Sequence, residues 1–259
     1  MRLSRRQSLK SLAAAAAGLP AFANAAEGAL GSSSLKSIRL VVLDVGGTII
    51  EDHGEVPTAM SNAFKKGGLD VSLAEIGEWR GASKRGMVRH FVELRAKRAA
   101  DREALTESIY RDFSTQANAA YRDVKPIKGA EETLTTLLQR KFLLATTTGF
   151  DRQLTDAVFR HLNWHKYFVA TVTSDDVVDG RPSPFMIFHA MEAAHIDSVA
   201  EVVAVGDTPL DLQAASNAGV RGIIGVYSGA ATKERLERET HTQILPSVAE
   251  LPELLRSAF

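Results

Sequence analysis

The chain has 259 residues, of which 45% are hydrophobic and 24% charged; acidic and basic side chains balance, and there is no cysteine. That length holds one large domain or two smaller ones around a substantial core. The missing cysteine excludes disulfides, thiolate metal sites, a lipoprotein anchor and a cysteine nucleophile. The balanced charge gives no basic footprint for nucleic acid.

In chain order, residues 1–25 read as an export leader. Ser4-Arg5-Arg6-Gln7-Ser8-Leu9-Lys10 carries a twin arginine, Leu12 to Leu19 is a short Ala-rich apolar core, and Ala23-Asn24-Ala25 is a small-x-small cleavage pattern. The segment resembles a bacterial twin-arginine signal, with Ser8 in place of the preferred Phe, and implies a periplasmic protein. Its apolar stretch falls short of the ~20 residues a membrane span needs, so no stable anchor is expected after its removal. Cleavage takes four basic and no acidic residues from a balanced chain, leaving the remainder about four charges negative. Residues 26–37 read as a Gly/Ser-containing flexible lead-in.

From Ile38 onward, short β-branched runs alternate with amphipathic helical stretches, the pattern of an α/β parallel sheet. Strands are predicted at Leu40–Leu43, Phe142–Thr146, Val169–Thr173, Val202–Val205 and Gly222–Val226. Helices are predicted at Gly129–Arg140, Arg152–Leu162, Pro184–Ala194, Leu210–Ala218, Lys233–Glu239 and Val248–Ser257. Residues 53–123 break the alternation with helical patterns and no strand; Met87, Val88, Phe91 and Leu94 share one face at helical spacing. An insertion after the first strand sits over the carboxyl edge of the sheet, placed to act as a lid. The predicted core is therefore residues 38–52 and 124–259, with 53–123 as a helical cap.

Four strand ends carry chemistry. Asp44 ends the first strand and is followed by Gly46, Gly47 and Thr48; an aspartate there can attack phosphorus and form an aspartyl phosphate. Thr146-Thr147-Thr148-Gly149 offers hydroxyl and backbone N–H donors for phosphoryl oxygens. Asp179-Gly180-Arg181-Pro182 places a permanent cation before a helix. Gly206-Asp207-Thr208-Pro209-Leu210-Asp211 sets carboxylates at i and i+4, and hard oxygen ligands of this kind suit Mg²⁺. An Asp after a strand is commonly just a helix cap. Four such groups at successive strand ends fall where open α/β sheets bind ligands.

On these motifs the chain resembles the haloacid dehalogenase-like hydrolase superfamily from about Ile38 to Leu255. The resemblance implies a Rossmann-like parallel core with an inserted all-helical cap. It implies Asp44 as nucleophile and Mg²⁺ held by Asp44, Asp207 and the carbonyl of Gly46, with Asp211 fixing water ligands. It further implies Thr148 and Gly149 on the phosphoryl group and Arg181 restraining Asp44.

Most phosphatases of the superfamily carry D-x-D-x-T, whose second acid protonates the leaving alcohol. Gly46 stands in that place. Together with Arg181 in a Gly-Arg-Pro-x-Pro run and with Thr-Thr-Gly-Phe-Asp-Arg at 147–152, it resembles the phosphonatase (phosphonoacetaldehyde hydrolase) subfamily, whose D-x-A-G-T differs by one methyl group. That subfamily uses a cap lysine to form a Schiff base, and Lys84 in Gly81-Ala82-Ser83-Lys84-Arg85-Gly86-Met87 matches it. Lys84 must then be partly neutral near pH 7, through burial or through cationic neighbours such as Arg85 and Arg89. Otherwise Lys84 belongs to a solvated basic face. Phosphate-ester hydrolysis of the phosphoglycolate phosphatase type, and an exported binding protein that lost turnover, stay open as alternatives. The partners expected are a small phosphonate or phosphate and a second copy in a homodimer. His161 and His165 read as surface or packing residues, Phe150 and Trp79 as packing, and His53 as a hinge histidine able to approach substrate.

Overall fold

A computed structural model describes residues 37–257; the expected leader and nearly all of the lead-in lie outside the described residues. Six strands form one parallel sheet: β1 (Leu40–Leu43), β2 (Leu143–Thr148), β3 (Ala170–Thr173), β4 (Val202–Gly206), β5 (Gly222–Val226) and β6 (Gln243–Leu245). Their order is β3-β2-β1-β4-β5-β6. The chain steps outward from β1 to β3, then returns to the other side of β1 for β4, so the strand order reverses beside β1. Ligands of open α/β sheets bind in the crevice that opens there, outside the carboxyl ends of the strands.

β1 shows why the sheet is apolar on both faces. Its four residues are all buried, and successive side chains point to opposite faces. Val41 and Leu43 join a core shared with the helical insertion, while Leu40 and Val42 join the core under α7 (Phe185–Ala193) and α8 (Pro209–Ala218). Register is continuous across the centre, with Leu43 opposite both Thr146 and Val205. The four strand ends that carry the motifs are thereby levelled along one edge.

Between β1 and β2 the chain is helical among the described residues: α1 (Glu55–Lys66), α2 (Leu73–Gly77), α3 (Lys84–Arg95) and α4 (Arg102–Ala120), followed by a 3₁₀ turn at Tyr121–Asp123. Phe64 of α1 meets Phe91 of α3 edge-on at 5.5 Å. Phe113 and Ile109 of α4 are fully buried in the same cluster as Val41 and Leu43 of the sheet. Each such side chain contributes about 1.5–3 kcal/mol by leaving water, so the insertion is fastened to the sheet by a common core.

The remaining helices are α5 (Ala130–Gln139), α6 (Arg152–Leu162), α9 (Lys233–Leu236) and α10 (Leu251–Ser257). Asp151 caps α6 by accepting from the Leu154 N–H at 2.8 Å. Three details differ from the sequence reading. β6 is an edge strand of three residues with only Ile244 and Leu245 apolar, too short for an alternating pattern. α9 stops after four residues because Leu236 is its only buried side chain. The C-terminal stretch divides into a 3₁₀ turn at Val248–Glu250 and α10. No described helix is long and apolar enough to cross a membrane.

Candidate active site

Asp44 is locked in place by the sheet itself. Its N–H donates to the Val205 carbonyl at 2.9 Å, extending the β1–β4 ladder one residue past the strand. The chain then turns through Gly47 at φ +80°, where a Cβ would lie 2.3 Å from Asp207 Oδ2. Only glycine allows both that backbone conformation and that approach. At the end of β4, Thr208 and Asp211 form a reciprocal capping box at the start of α8, with Pro209 in its first turn.

Asp44, Asp207 and Asp211 are buried, and each presents a carboxylate oxygen within 4.8 Å of the others. Arg181, itself buried, holds two of them: its Nη1 lies 2.8 Å from Asp44 Oδ1 and 2.8 Å from Asp211 Oδ1. Nη2 donates to the carbonyl and hydroxyl oxygens of Thr147, both at 2.8 Å. The planar guanidinium thus bridges three strand ends in a geometry that a lysine does not offer.

Arg181 by itself does not balance three buried carboxylates, and the imbalance is visible in the ionisation of Asp44 and Asp207. Burial pushes Asp44 up to about 6, against the pull of Arg181 and with a further rise from Asp211. Asp207 is raised well above the ordinary carboxylate range, first by burial and then by the charges of Asp44 and Asp211.

The donor set fits Mg²⁺. Asp211 Oδ2 accepts from Thr208, while Oδ1 is ion-paired with Arg181 at 2.8 Å without a hydrogen bond of its own. Asp207 Oδ2 accepts from the Ala230 N–H at 2.6 Å. Asp44 Oδ2 and Asp207 Oδ1 share one distant donor, the Thr48 hydroxyl, at 3.4 and 3.5 Å. Those two oxygens are therefore left for a hard cation, with Asp211 outside the direct ligand set. Gly229 belongs to this arrangement too, since a Cβ there would lie 2.1 Å from Asp207 Oδ2.

The cap delivers Lys84 through a tight loop. Gly81 has φ +85°, and a Cβ on it would sit 2.5 Å from Thr208 Oγ1. On the other side, a Cβ on Gly149 would sit 2.5 Å from the Ala82 carbonyl oxygen. The loop is wedged between two of the chemical strand ends, and Ser83 then caps α3 by accepting from the Gly86 N–H at 3.2 Å.

Lys84 is the first residue of α3 and only 5% exposed. Its Nζ donates to the Ala82 carbonyl at 2.7 Å and lies 6.0 Å from the centre of the Phe150 ring. Burial first and the charge of Arg181 second lower its amine from 10.5 to about 8, with Asp44, Asp52 and Asp211 opposing the shift. Its place at a helix N-terminus also disfavours the ammonium form.

Asp44, Gly46, Lys84, Thr148, Gly149, Arg181 and Asp207 all line one cleft of about 510 Å³, counted to its open mouth. Asp211 stands behind Arg181, as the ion pair requires. Thr148 is buried at the cleft wall and its hydroxyl accepts from the Phe150 N–H at 3.1 Å.

Several neighbours differ from expectation. Arg85 does not act on Lys84; it pairs with Glu107 and stacks on Tyr110 at 4.1 Å. Arg89 is exposed, so the cation that depresses Lys84 is Arg181. His53 turns outward, with 71% of its side chain exposed beside Glu51, and does not line the cleft. His165 packs edge-on against Phe159. Phe150 and Trp79 do pack, yet both also line the cleft.

Three groups at the cleft carried no sequence signal of their own: the Asp52–Arg80 pair at 3.3 Å, the Ala230 N–H on Asp207, and Tyr121. Tyr121 is 3% exposed and its hydroxyl has no hydrogen-bond partner among the described residues. Burying an unsatisfied hydroxyl costs about 1–3 kcal/mol.

Residues 41–225 match the family model described as haloacid dehalogenase-like hydrolase. The chain belongs to that family and is a hydrolase. It is similar to the phosphonoacetaldehyde hydrolase of Bacillus cytotoxicus, with 28% identity over 233 residues that cover 86% of this chain and 88% of that protein. It is also similar to the phosphonoacetaldehyde hydrolase of Lysinibacillus sphaericus, with 30% identity over 218 residues covering 78% and 79% respectively. Among solved structures, a phosphonoacetaldehyde hydrolase-like protein from Oleispira antarctica superposes with TM-score 0.74 at 20% identity, covering 86% of this chain and 92% of that one. At that identity the likeness concerns the fold.

Proposed function

We propose that this hydrolase is Mg²⁺-dependent and cleaves the C–P bond of a 2-oxoalkylphosphonate such as phosphonoacetaldehyde. The observation that carries the reading is a buried lysine with its amine near 8, sharing the Asp44 cleft, where position 46 holds no acid. An alkyl phosphate needs a proton on its leaving oxygen. A carbon leaving group instead needs an electron sink, which an imine supplies.

The chemistry balances within the cleft. The Lys84 ammonium and the substrate carbonyl condense to an iminium and water. Asp44 attacks phosphorus as the C–P electron pair moves into the iminium, giving an enamine on Lys84 and an acyl phosphate on Asp44. Protonation of the enamine at carbon and hydrolysis release the aldehyde, and water cleaves the acyl phosphate to phosphate. Asp44 and Asp207, with the Gly46 carbonyl, would hold Mg²⁺, which would supply charge neutralisation at the phosphoryl group. Arg181 keeps Asp44 ionised and aimed, while the Thr148 hydroxyl and the Gly149 N–H orient the phosphoryl oxygens. The relatives named above support the same substrate class.

The test is phosphate release by the purified protein with Mg²⁺, comparing phosphonoacetaldehyde, phosphoglycolate and p-nitrophenyl phosphate. Phosphonoacetaldehyde is expected to turn over fastest; turnover of phosphoglycolate alone overturns the reading in favour of an ester phosphatase. We also propose export, on the twin-arginine-type leader, and cell fractionation tests it: the protein is expected in the periplasmic fraction. An exported enzyme then draws its phosphonate from outside the cytoplasm.

A further inference from the structure

Tyr121 offers a donor that none of the steps above uses. It opens the 3₁₀ turn by which the chain leaves the cap, directly after α4. Its ring is buried and lines the same cleft as Asp44, Gly46 and Lys84, while its hydroxyl is unpartnered among the described residues. Buried hydroxyls nearly always find a partner in the protein, in water or in a ligand. An orphan in the wall of a reaction cleft therefore points to a ligand.

Phe150 is the side chain that Tyr121 shares with position 46 and Lys84. A Cβ at position 46 would lie 3.1 Å from Phe150 Cζ, so this ring covers the space an acid at 46 would enter. Tyr121 packs edge-on against the same ring, with centroids 5.2 Å apart. Lys84 Nζ lies 6.0 Å from that ring's centre. The amine, the empty position 46 and the phenol are thus grouped around one aromatic side chain.

The charged groups acting on the phenol are Asp52, Glu55 and Asp44, with Arg80 opposing them. Burial and these carboxylates hold its ionisation far above the neutral range. The phenol stays protonated, and so it serves as a donor and not as a base.

We propose that Tyr121 is a catalytic residue that donates a hydrogen bond to the carbonyl oxygen of the substrate while Lys84 adds to the carbonyl carbon. The proposal rests on the imine reading of the site. As nitrogen bonds to carbon, the C=O π pair moves onto oxygen, and the phenol O–H stabilises the charge that builds there. One proton from nitrogen then passes to that oxygen to give the neutral carbinolamine. A second proton, the one Lys84 released on becoming neutral, lets the oxygen leave as water and the iminium form. The phenol ends the step as it began.

The test compares the purified wild-type protein with Tyr121→Phe, which keeps the ring against Phe150. With phosphonoacetaldehyde and borohydride, the rate of reduced adduct formation on Lys84 is followed by mass spectrometry. Vanadate affinity, measured in parallel with Mg²⁺, reports the phosphoryl site. The expected result is adduct formation slowed about 100-fold in the variant, with vanadate affinity unchanged. Equal adduct rates in the two proteins overturn the role of Tyr121 and leave the imine standing. Loss of vanadate binding together with the adduct makes Tyr121 a structural residue and likewise overturns it. A wild-type protein that turns over but traps no adduct overturns the imine, and this proposal with it.

Discussion

Replacing Lys84 with Met removes the amine and keeps the length of the side chain. Burial and Arg181 bring the amine from 10.5 to about 8. At about pH 7 roughly a tenth of it is then neutral, against about one part in 3,000 for an unperturbed lysine. The site thereby gains about 300-fold in reactive amine at neutral pH. The same shift is about 3 kcal/mol of penalty on the buried ammonium, at 1.36 kcal/mol per pKa unit. For wild type, kcat/KM on phosphonoacetaldehyde is expected to rise about tenfold per pH unit up to about 8 and then level off. Hydrolysis of p-nitrophenyl phosphate, which needs no amine, controls for ionisation of Asp44 and of the phosphoryl group and lacks that limb. Lys84→Met is expected to fall below about a thousandth of wild type on the phosphonate while keeping p-nitrophenyl phosphate turnover within about tenfold. Between about 8 and 10.5 the unfolded chain binds the proton that folded Lys84 has lost, so wild-type stability rises with pH through that window and the Met variant lacks the rise. A flat phosphonate profile from about pH 6 to 9, or equal losses on both substrates, refutes the reasoning.

Arg181→Met leaves the carboxylates of Asp44 and Asp211 without their buried cation and is expected to cost about 3–5 kcal/mol at neutral pH by urea denaturation; a loss below about 1 kcal/mol contradicts the charge balance described. Asp44, raised to about 6, binds more protons folded than unfolded between 3.8 and about 6, so metal-free stability falls as pH rises through that range. Mg²⁺ needs the ionised carboxylates, and its effect on Tm is expected to be larger at about pH 7.5 than at about pH 5, equal shifts being the contrary result. Gly46→Asp places a Cβ 3.1 Å from Phe150 Cζ, so the ring must yield by a few tenths of an ångström, at about 1 kcal/mol in stability. It is expected to raise alkyl phosphate hydrolysis at least about tenfold by restoring an acid, and a folded variant with no gain speaks against that role for position 46.

Much of the fold was legible because β1, β4 and β5 are continuous apolar runs, buried on both faces, and the helices between them carry caps such as Asp151 and Thr208. β6 escaped because three residues at a sheet edge hold too little apolar pattern. Asp44, Thr148, Asp207 and Asp211 each end or follow a strand or open a helix, and Arg181 lies in the loop from β3 to α7, positions that local sequence marks. Lys84 was legible as a type but not as an environment: its burial comes from Gly81 and Gly149 letting the cap loop press between two strand ends, contacts that span many residues. Its neighbours Arg85 and Arg89 were misread for the same reason, since adjacency in sequence around a helix says nothing of which face meets Arg181. Nothing in the local sequence marks Tyr121, and only the fold shows that its hydroxyl, in a side chain lining the cleft, is without a partner among the described residues.

The most direct test of the central claim is the location of a borohydride-trapped adduct after brief incubation of the wild-type protein with phosphonoacetaldehyde and Mg²⁺. The expected result is an N-ethyl or N-phosphonoethyl group on Lys84 and on no other lysine, appearing as turnover is lost. An unmodified Lys84 in a protein that still releases phosphate from this substrate contradicts it.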